Sequence, residues 1–324
     1  MFHAWYVEDK KTPAVFKEVS EDILQGDTLI KVHSSSINFK DALALHGRPG
    51  VIRNFPLIAG IDVTGEVVES EHENWKPGDM VTLNGAGLGE NLHGGLAEMA
   101  RVKGADLVAV PSAFTPAQAS AIGTAGFTAQ LAVTALEGNG LLPDEHPVLV
   151  TGAGGGAGSI AISLLAAAGY EVTAATGRVD KLGPQLRALG ATEVIHRDEV
   201  AAARRPMDST RWSAVVDGVG GEILAGAIAA TDPDGAIASY GLAASSDLPT
   251  TVLPFILRGI SLLGINSVQV SAGMRQLAWD RLAADLSPEH VDLITSTVSL
   301  DQAQDAAAAL LEGKGTGRTV VQVS

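Results

Sequence analysis

Gly152, Gly155 and Gly158 recur at every third residue of the run Gly152-Ala-Gly-Gly-Gly-Ala-Gly158, which follows the apolar stretch 147–151. Glycines so placed allow a tight turn and let backbone N–H groups approach a phosphate; a helix starting there adds N–H groups of its own. A helical apolar stretch follows at 160–168, then Gly169 and a second apolar strand at 170–175 that ends in Thr176-Gly-Arg178. Strand, glycine turn, helix and strand together make the dinucleotide-binding unit of an open parallel sheet. A site for an unphosphorylated ribose places Asp or Glu after the second strand. Here Thr176 stands there, with Arg178 two residues on, which suits a 2′-phosphate. The expected coenzyme is therefore NADPH. The competing readings are a flexible Gly/Ala loop and, for Arg178, a solvated cation. A cation at a helix start opposes the helix dipole, and local conflicts of that kind favour a working role.

The elements that must carry these residues follow from hydrophobic periodicity and turn residues. Up to about residue 115 the chain reads as β-rich. Strand candidates are 2–7, 28–34, 62–68, 80–83 and 107–110, with a short helix at 38–45 and a glycine-rich loop at 85–95. Beyond a helix at 116–136, interrupted at 123–126, strands and helices alternate. Strands are expected at 147–151, 171–175, 193–195, 213–216, 235–240 and 260–265, and helices at 158–168, 180–189 and 221–230. That alternation predicts a doubly wound parallel sheet, so the fold class is α/β. Helices at 273–286 and near 299–311 and a strand at 318–323 follow, the last expected to return to the first domain.

Composition narrows the partners. The length, 324 residues, favours two domains, and 46% hydrophobic with 18% charged residues describes a packed globule. A net charge of −15 argues against nucleic acid or an anionic membrane as main partner. No cysteine is present, which removes disulfides, thiolate catalysis and cysteine-based zinc sites and fits a reducing cytoplasm. The N-terminus has no signal-peptide pattern, and no apolar run is expected to approach the roughly 20 residues that span a bilayer. The 8 histidines are scattered, without a His-x-x-x-His pair.

The segments Ser36-Ile-Asn-Phe-Lys-Asp-Ala-Leu43, Ile52-Arg-Asn-Phe-Pro56 and Gly60-Ile-Asp62 resemble the start of the zinc-free medium-chain dehydrogenase/reductases. Gly123-Thr-Ala-Gly-Phe-Thr-Ala129 and the triple-spaced glycines are similar to their nucleotide-binding half. Thr176-Gly-Arg178, His196-Arg-Asp-Glu199, Gly241-Leu-Ala243 and Pro254-Phe-Ile-Leu-Arg258 resemble the NADPH-dependent acrylyl-CoA reductase group, often labelled quinone oxidoreductases. The resemblance runs along nearly the whole chain. It implies a GroES-like β-rich catalytic domain at 1–117, a Rossmann domain at 118–265 and a return to the catalytic domain at 266–324. Zinc-dependent relatives have cysteine where this chain has Asn38, and Gly-His-Glu where it has Gly60-Ile61-Asp62, so no metal is expected.

The activity implied is NADPH-dependent reduction of the C=C bond of acrylyl-CoA or a similar short enoyl-CoA. Alternatives are an NADPH:quinone reductase and a non-catalytic NADPH-binding protein of the same fold. The resemblance places Phe39, Thr128, Gly154, Gly155, Gly156, Ala157, Thr176, Gly177, Arg178, Arg197, Leu242, Ile256 and Ser267 at the coenzyme. Phe39 replaces a tyrosine of the relatives, so a phenol at that position cannot donate the proton. Asn38, Lys40, Asp41 and Tyr240 are the catalytic candidates. Against them stand a capping role for Asn38, solvent-facing roles for Lys40 and Asp41, and a buried structural role for Tyr240. A homodimer joined through the coenzyme domain is expected, since the strand near 262–265 would otherwise leave an apolar edge exposed.

Overall fold

The computed structural model describes residues 1–142, 146–201 and 205–323. The first elements are β1 (Phe2–Val7), β2 (Val15–Val19), β3 (Thr28–Ser36), α1 (Phe39–Leu45), β4 (Leu57–Ile58), β5 (Asp62–Ser70), β6 (Met80–Asn84), β7 (Met99–Val102), β8 (Val108–Ala109) and α2 (Pro116–Gly138). Next come β9 (Val148–Val150), α3 (Gly156–Ala167), β10 (Val172–Thr176), α4 (Val179–Ala188), β11 (Glu193–His196) and α5 (Arg197–Ala201). They are followed by β12 (Trp212–Asp217), α6 (Gly221–Ala229), β13 (Thr231–Ser239), α7 (Leu253–Arg258) and β14 (Ser261–Gly264). The last are α8 (Ala272–Asp285), α9 (Pro288–Leu293), β15 (Thr295–Ser299), α10 (Ala303–Leu311) and β16 (Arg318–Gln322).

The chain divides into two units. The first is Met1–Phe127 with Ser267–Ala283 and Ile294–Ser324; the second is Thr128–Asn266 with Ala284–Leu293. The first boundary falls at Phe127/Thr128, inside α2, later than the break expected at 117/118. A further difference is the short segment Ala284–Leu293, which joins the second unit although its flanks belong to the first.

The first unit holds a sheet of order β15-β16-β3-β5-β6-β8, with β7 added on β3, and a smaller sheet β2-β1-β4. Ile30, Val32, Val63, Val67, Val81 and Leu83 come from neighbouring strands and share one buried cluster. Burial of side chains of this size stabilises by about 1.5–3 kcal/mol each. Helix α1 packs through Ala42 and Leu45 against Ala303 and Ala307 of α10, and β16 pairs antiparallel with β3. The return strand thus seats Arg318 beside the start of α1.

The second unit is a six-stranded parallel sheet, β11-β10-β9-β12-β13-β14. All residues of β10 and β12 are buried, as continuous apolar strands covered on both faces must be. Strand order reverses between β9 and β12, which is where open α/β sheets place a ligand crevice, at the carboxyl ends of the strands.

Several elements have no counterpart in the sequence expectations: β2, β4, β7, α5, α7, α9 and β15. They are short or carry no apolar alternation; β15 reads Thr-Ser-Thr-Val-Ser and gains its place only by pairing with β16. Helix α2 corrects another expectation, because its 23 residues are long and apolar enough to cross a membrane by length and composition. Its apolar window is 78% buried inside the fold, so it serves as a core helix. It also bends at Gly123, whose φ of 45° and ψ of −154° break the helical run.

Candidate functional site

In the second unit the glycine turn follows β9. Gly152 takes φ of 61°, the left-handed region, and its carbonyl accepts from the Gly155 N–H at 2.9 Å. A Cβ built on Gly158 would lie 2.5 Å from that same carbonyl oxygen, so only glycine fits. Helix α3 begins at Gly156 behind a glycine cap with no capping side chain. Its first N–H groups have no partner within the helix, which is the arrangement that binds pyrophosphate.

Thr176, buried at the end of β10, accepts from the Arg178 N–H through its hydroxyl at 3.3 Å. A Cβ built on Gly154 would sit 3.7 Å from both Arg178 Nη2 and Thr176 Oγ1. One built on Gly177 would sit 3.2 Å from Arg197 Nε. Gly154, Thr176, Gly177, Arg178 and Arg197 are therefore brought together, with Gly155, Gly156 and Ala157 on the adjoining helix start. Two guanidiniums beside a glycine turn fit a dinucleotide carrying a 2′-phosphate.

On the other side of the switch point, Asp217 closes β12 with no exposed surface. It accepts from Thr151 Oγ1 at 2.6 Å, Gly220 N at 3.1 Å and Ser239 Oγ at 3.3 Å. Tyr240 lies over Gly218, and burial, with the Asp217 charge, pushes its phenol above the usual range. Tyr240 accordingly stays protonated and is a poor acid. Leu242 and Ile256 are exposed at 63% and 69%, while Thr128 is buried in α2.

The first unit holds the other candidates. Asn38 precedes α1, and every polar atom of its side chain is engaged. Nδ2 donates to Asp62 Oδ2 at 2.7 Å and to Asp41 Oδ2 at 3.0 Å, and Oδ1 accepts from Arg318 Nη1 at 3.1 Å. Asp41 is 1% exposed, which corrects the solvent-facing alternative. Its carboxyl accepts from Asn38 N at 2.8 Å and Ile61 N at 2.9 Å. Burial and then the neighbouring Asp62 charge nevertheless raise its pKa to about 7. Lys40 is half exposed and pairs at 2.5 Å with Glu90, while Phe39 is 50% exposed. Ser267 is half-buried and also belongs to this unit, with its carbonyl beside Gly85.

Sequence reasoning missed the centre of this cluster. Asp62 is 1% exposed and accepts from Ser36 Oγ at 2.5 Å, Asn84 Nδ2 at 3.0 Å, Thr124 N at 2.9 Å and Thr124 Oγ1 at 2.6 Å. Arg318, 4% exposed, lies 3.8 Å from Asp62 and donates to Ala121 O and Ser36 Oγ at 2.6 and 2.7 Å. Gly123 leaves room for it, since a Cβ there would lie 2.6 Å from Asp62 Oδ2. The one sequence signal was a lone arginine opening an apolar strand.

The donor set does not fit zinc. Where the zinc-dependent relatives have cysteine and the histidine of Gly-His-Glu, this chain has Asn38 and Ile61; Asn38 is bonded throughout, and the adjoining Asp62 faces a guanidinium, beside which a dication would be repelled.

Comparison with known proteins matches residues 24–112 to the alcohol dehydrogenase GroES-like domain and residues 156–284 to the zinc-binding dehydrogenase domain. The chain is 45% identical to a probable acrylyl-CoA reductase of Escherichia coli, covering 98% of each chain. It is 42% identical to an acrylyl-CoA reductase of Ruegeria pomeroyi, covering 100% of each. A crystal structure of an oxidoreductase from Salmonella enterica in complex with NADP superposes with a TM-score of 0.94 at 42% identity, over 100% of this chain and 99% of that one.

Proposed function

The chain belongs to the medium-chain dehydrogenase/reductase family, in the group that holds the acrylyl-CoA reductases, and we propose that it reduces the C=C bond of acrylyl-CoA, or another short enoyl-CoA, with NADPH as reductant. Full-length likeness to reductases of that substrate carries the substrate class. The meeting of Arg178 and Arg197 beside the glycine turn supports the coenzyme.

NADPH supplies the hydride when bound. Thr176, Arg178 and Arg197 would hold its 2′-phosphate, and the 152–158 turn its pyrophosphate. Reduction adds a hydride to the β-carbon and a proton to the α-carbon, with negative charge passing through the thioester oxygen. The protein's task is to orient the reactants and stabilise that charge, and a conjugated thioester needs no metal for it. Phe39 has no acidic hydrogen, Tyr240 is held protonated, and Asn38 and Asp41 are tied into the buried cluster. On this reading Lys40, half exposed and paired with Glu90, is the remaining polar candidate for delivering the α-carbon proton. A reducing cytoplasm suits a chain without cysteine.

Coenzyme oxidation with acrylyl-CoA, crotonyl-CoA and simple quinones tests the reading. The highest kcat/KM is expected with acrylyl-CoA. A quinone ahead of it would make the protein a quinone reductase, and tight NADPH binding without turnover would make it a coenzyme-binding protein.

A homodimer through the second unit goes with this reading. Among the described residues strand β14 is bonded only to β13, and Val252, Ile256 and Leu257, at and just before the helix that leads into it, are 67%, 69% and 64% exposed. A second copy pairing at that edge would cover both the open strand and the apolar side chains. Light scattering at micromolar concentration should give twice the chain mass; a monomer mass would count against it.

A further inference from the structure

From Ala42 to Ile61 the chain has no acidic residue, although it carries 37 of them in 324. Within that stretch the loop after α1 presents Arg48 and Arg53, both exposed. A second loop lies against it: Ala14 N donates to Leu45 O at 3.0 Å, and a Cβ on Gly47 would be 2.8 Å from the Thr12 backbone. That loop brings Lys10, also exposed. Lys10 and Arg48 face a shared depression floored by Val7, Ala44, Ile52 and Phe55.

The nearby acids are engaged and the cations are not. Glu8 pairs with Lys17 at 2.5 Å, and the Asp9 carboxylate, at the edge of the depression, accepts from Lys11 N at 2.7 Å and Thr12 N at 3.1 Å. Among the described residues Lys10, Arg48 and Arg53 make no ion pair. On a chain of net charge −15 such a patch is a local reversal of the surface field, and it would draw in an anion.

Resting on the acyl-CoA reading above, we propose that Lys10 and Arg48, with Arg53 further along the same loop, form the surface subsite for the phosphate groups of the CoA nucleotide. Helix α1 sets the spacing. Phe39 opens it and Arg48 follows its end, so at about 1.5 Å rise per residue they are separated by roughly 10–14 Å. An extended pantetheine arm reaches that far. The thioester would lie near Phe39 while the phosphates meet the loop, and the subsite would select carrier-bound acyl groups over free acids or quinones.

The test compares acrylyl-CoA with acrylyl-pantetheine, which lacks the phosphates, in wild type and in Lys10→Gln/Arg48→Gln/Arg53→Gln. Wild type should prefer acrylyl-CoA through KM, and in the variant the ratio of the two kcat/KM values should fall about tenfold, with weakened salt dependence. An unchanged ratio, or equal losses on both thioesters, would overturn the subsite while leaving the acyl-CoA reading standing. Failure of wild type on both thioesters would defeat that reading itself. Calorimetry with adenosine 3′,5′-bisphosphate, with NADP+ saturating, then decides the subsite alone: binding lost in the variant supports it, and no binding to wild type overturns it.

Discussion

Two arginine clusters in this molecule have opposite character. Around Arg318 in the first unit, the guanidinium, two carboxylates and the Ser36 hydroxyl are buried, and with the partly buried Asn38 and Thr124 they form one hydrogen-bonded cluster. Around Arg178 and Arg197 in the second, the side chains sit at the open ends of strands, Arg197 60% exposed with Asp198 at 3.8 Å. A buried cluster must satisfy its polar groups internally because water is not there to do so. In the open cluster Arg178 is partly exposed and the Arg197 guanidinium is largely in solvent. Burial, more than residue type, distinguishes the two clusters.

The comparison breaks first at Arg318. Arg318→Ala leaves Asp62 and Asp41 buried without a counter-charge, for which the expected loss is about 3–5 kcal/mol of stability. Chemical unfolding should show an early transition of the variant, and an unchanged midpoint would mean that the cluster is not what holds this unit.

Arg178→Ala should weaken NADPH binding by roughly tenfold to a hundredfold, the worth of one charge-assisted contact of about 1.5–3 kcal/mol. NADH, which lacks the phosphate, should lose less than twofold. Dissociation constants for both coenzymes at one salt concentration check this; equal losses would make Arg178 a structural residue.

A smaller effect tests burial itself. Burial lifts the Asp41 carboxyl from its ordinary 3.8 to about 7 in the fold, so folding takes up a proton between those values. Its contribution is fully present below the lower value and is lost as pH rises through 7, at up to about 1.4 kcal/mol per pH unit. Thermal midpoints of wild type and Asp41→Asn from pH 4 to 8 should show wild type losing ground to the variant as pH rises. Parallel curves would remove the proton from this account.

Least is expected of Lys40→Met. The pair with Glu90 has a half-exposed cation, so solvent screening limits the change to about 1 kcal/mol or less. A larger loss by the same unfolding measurement would place Lys40 with the buried cluster.

Much of the second unit was legible because its information is local. Strands β9, β10 and β12 are largely apolar runs, the longer helices α3, α4 and α6 are readable from their stretches of sequence, and the glycine turn declares itself by spacing. Thr176 and Arg178 are two residues apart and stay together in any fold that makes this turn. The first unit was harder to read. Strands such as β2 and β15 are half-polar and become strands only through a partner, and Asp41, beside Lys40 in an amphipathic stretch, gives no sign that it is buried.

By itself the sequence determined the doubly wound sheet, the glycine turn after β9 and the basic residues that follow β10. Those depend on neighbours within a few residues, where backbone geometry and side-chain period leave few choices. Only tertiary structure decided that Arg318 meets Asn38 across 280 residues and that Asp62 is its counter-charge. It alone decided that Asn38 and Asp41 are spent on that cluster. Whether a charge is buried, and what satisfies it, depends on which distant segments pack over it, and no local pattern carries that information.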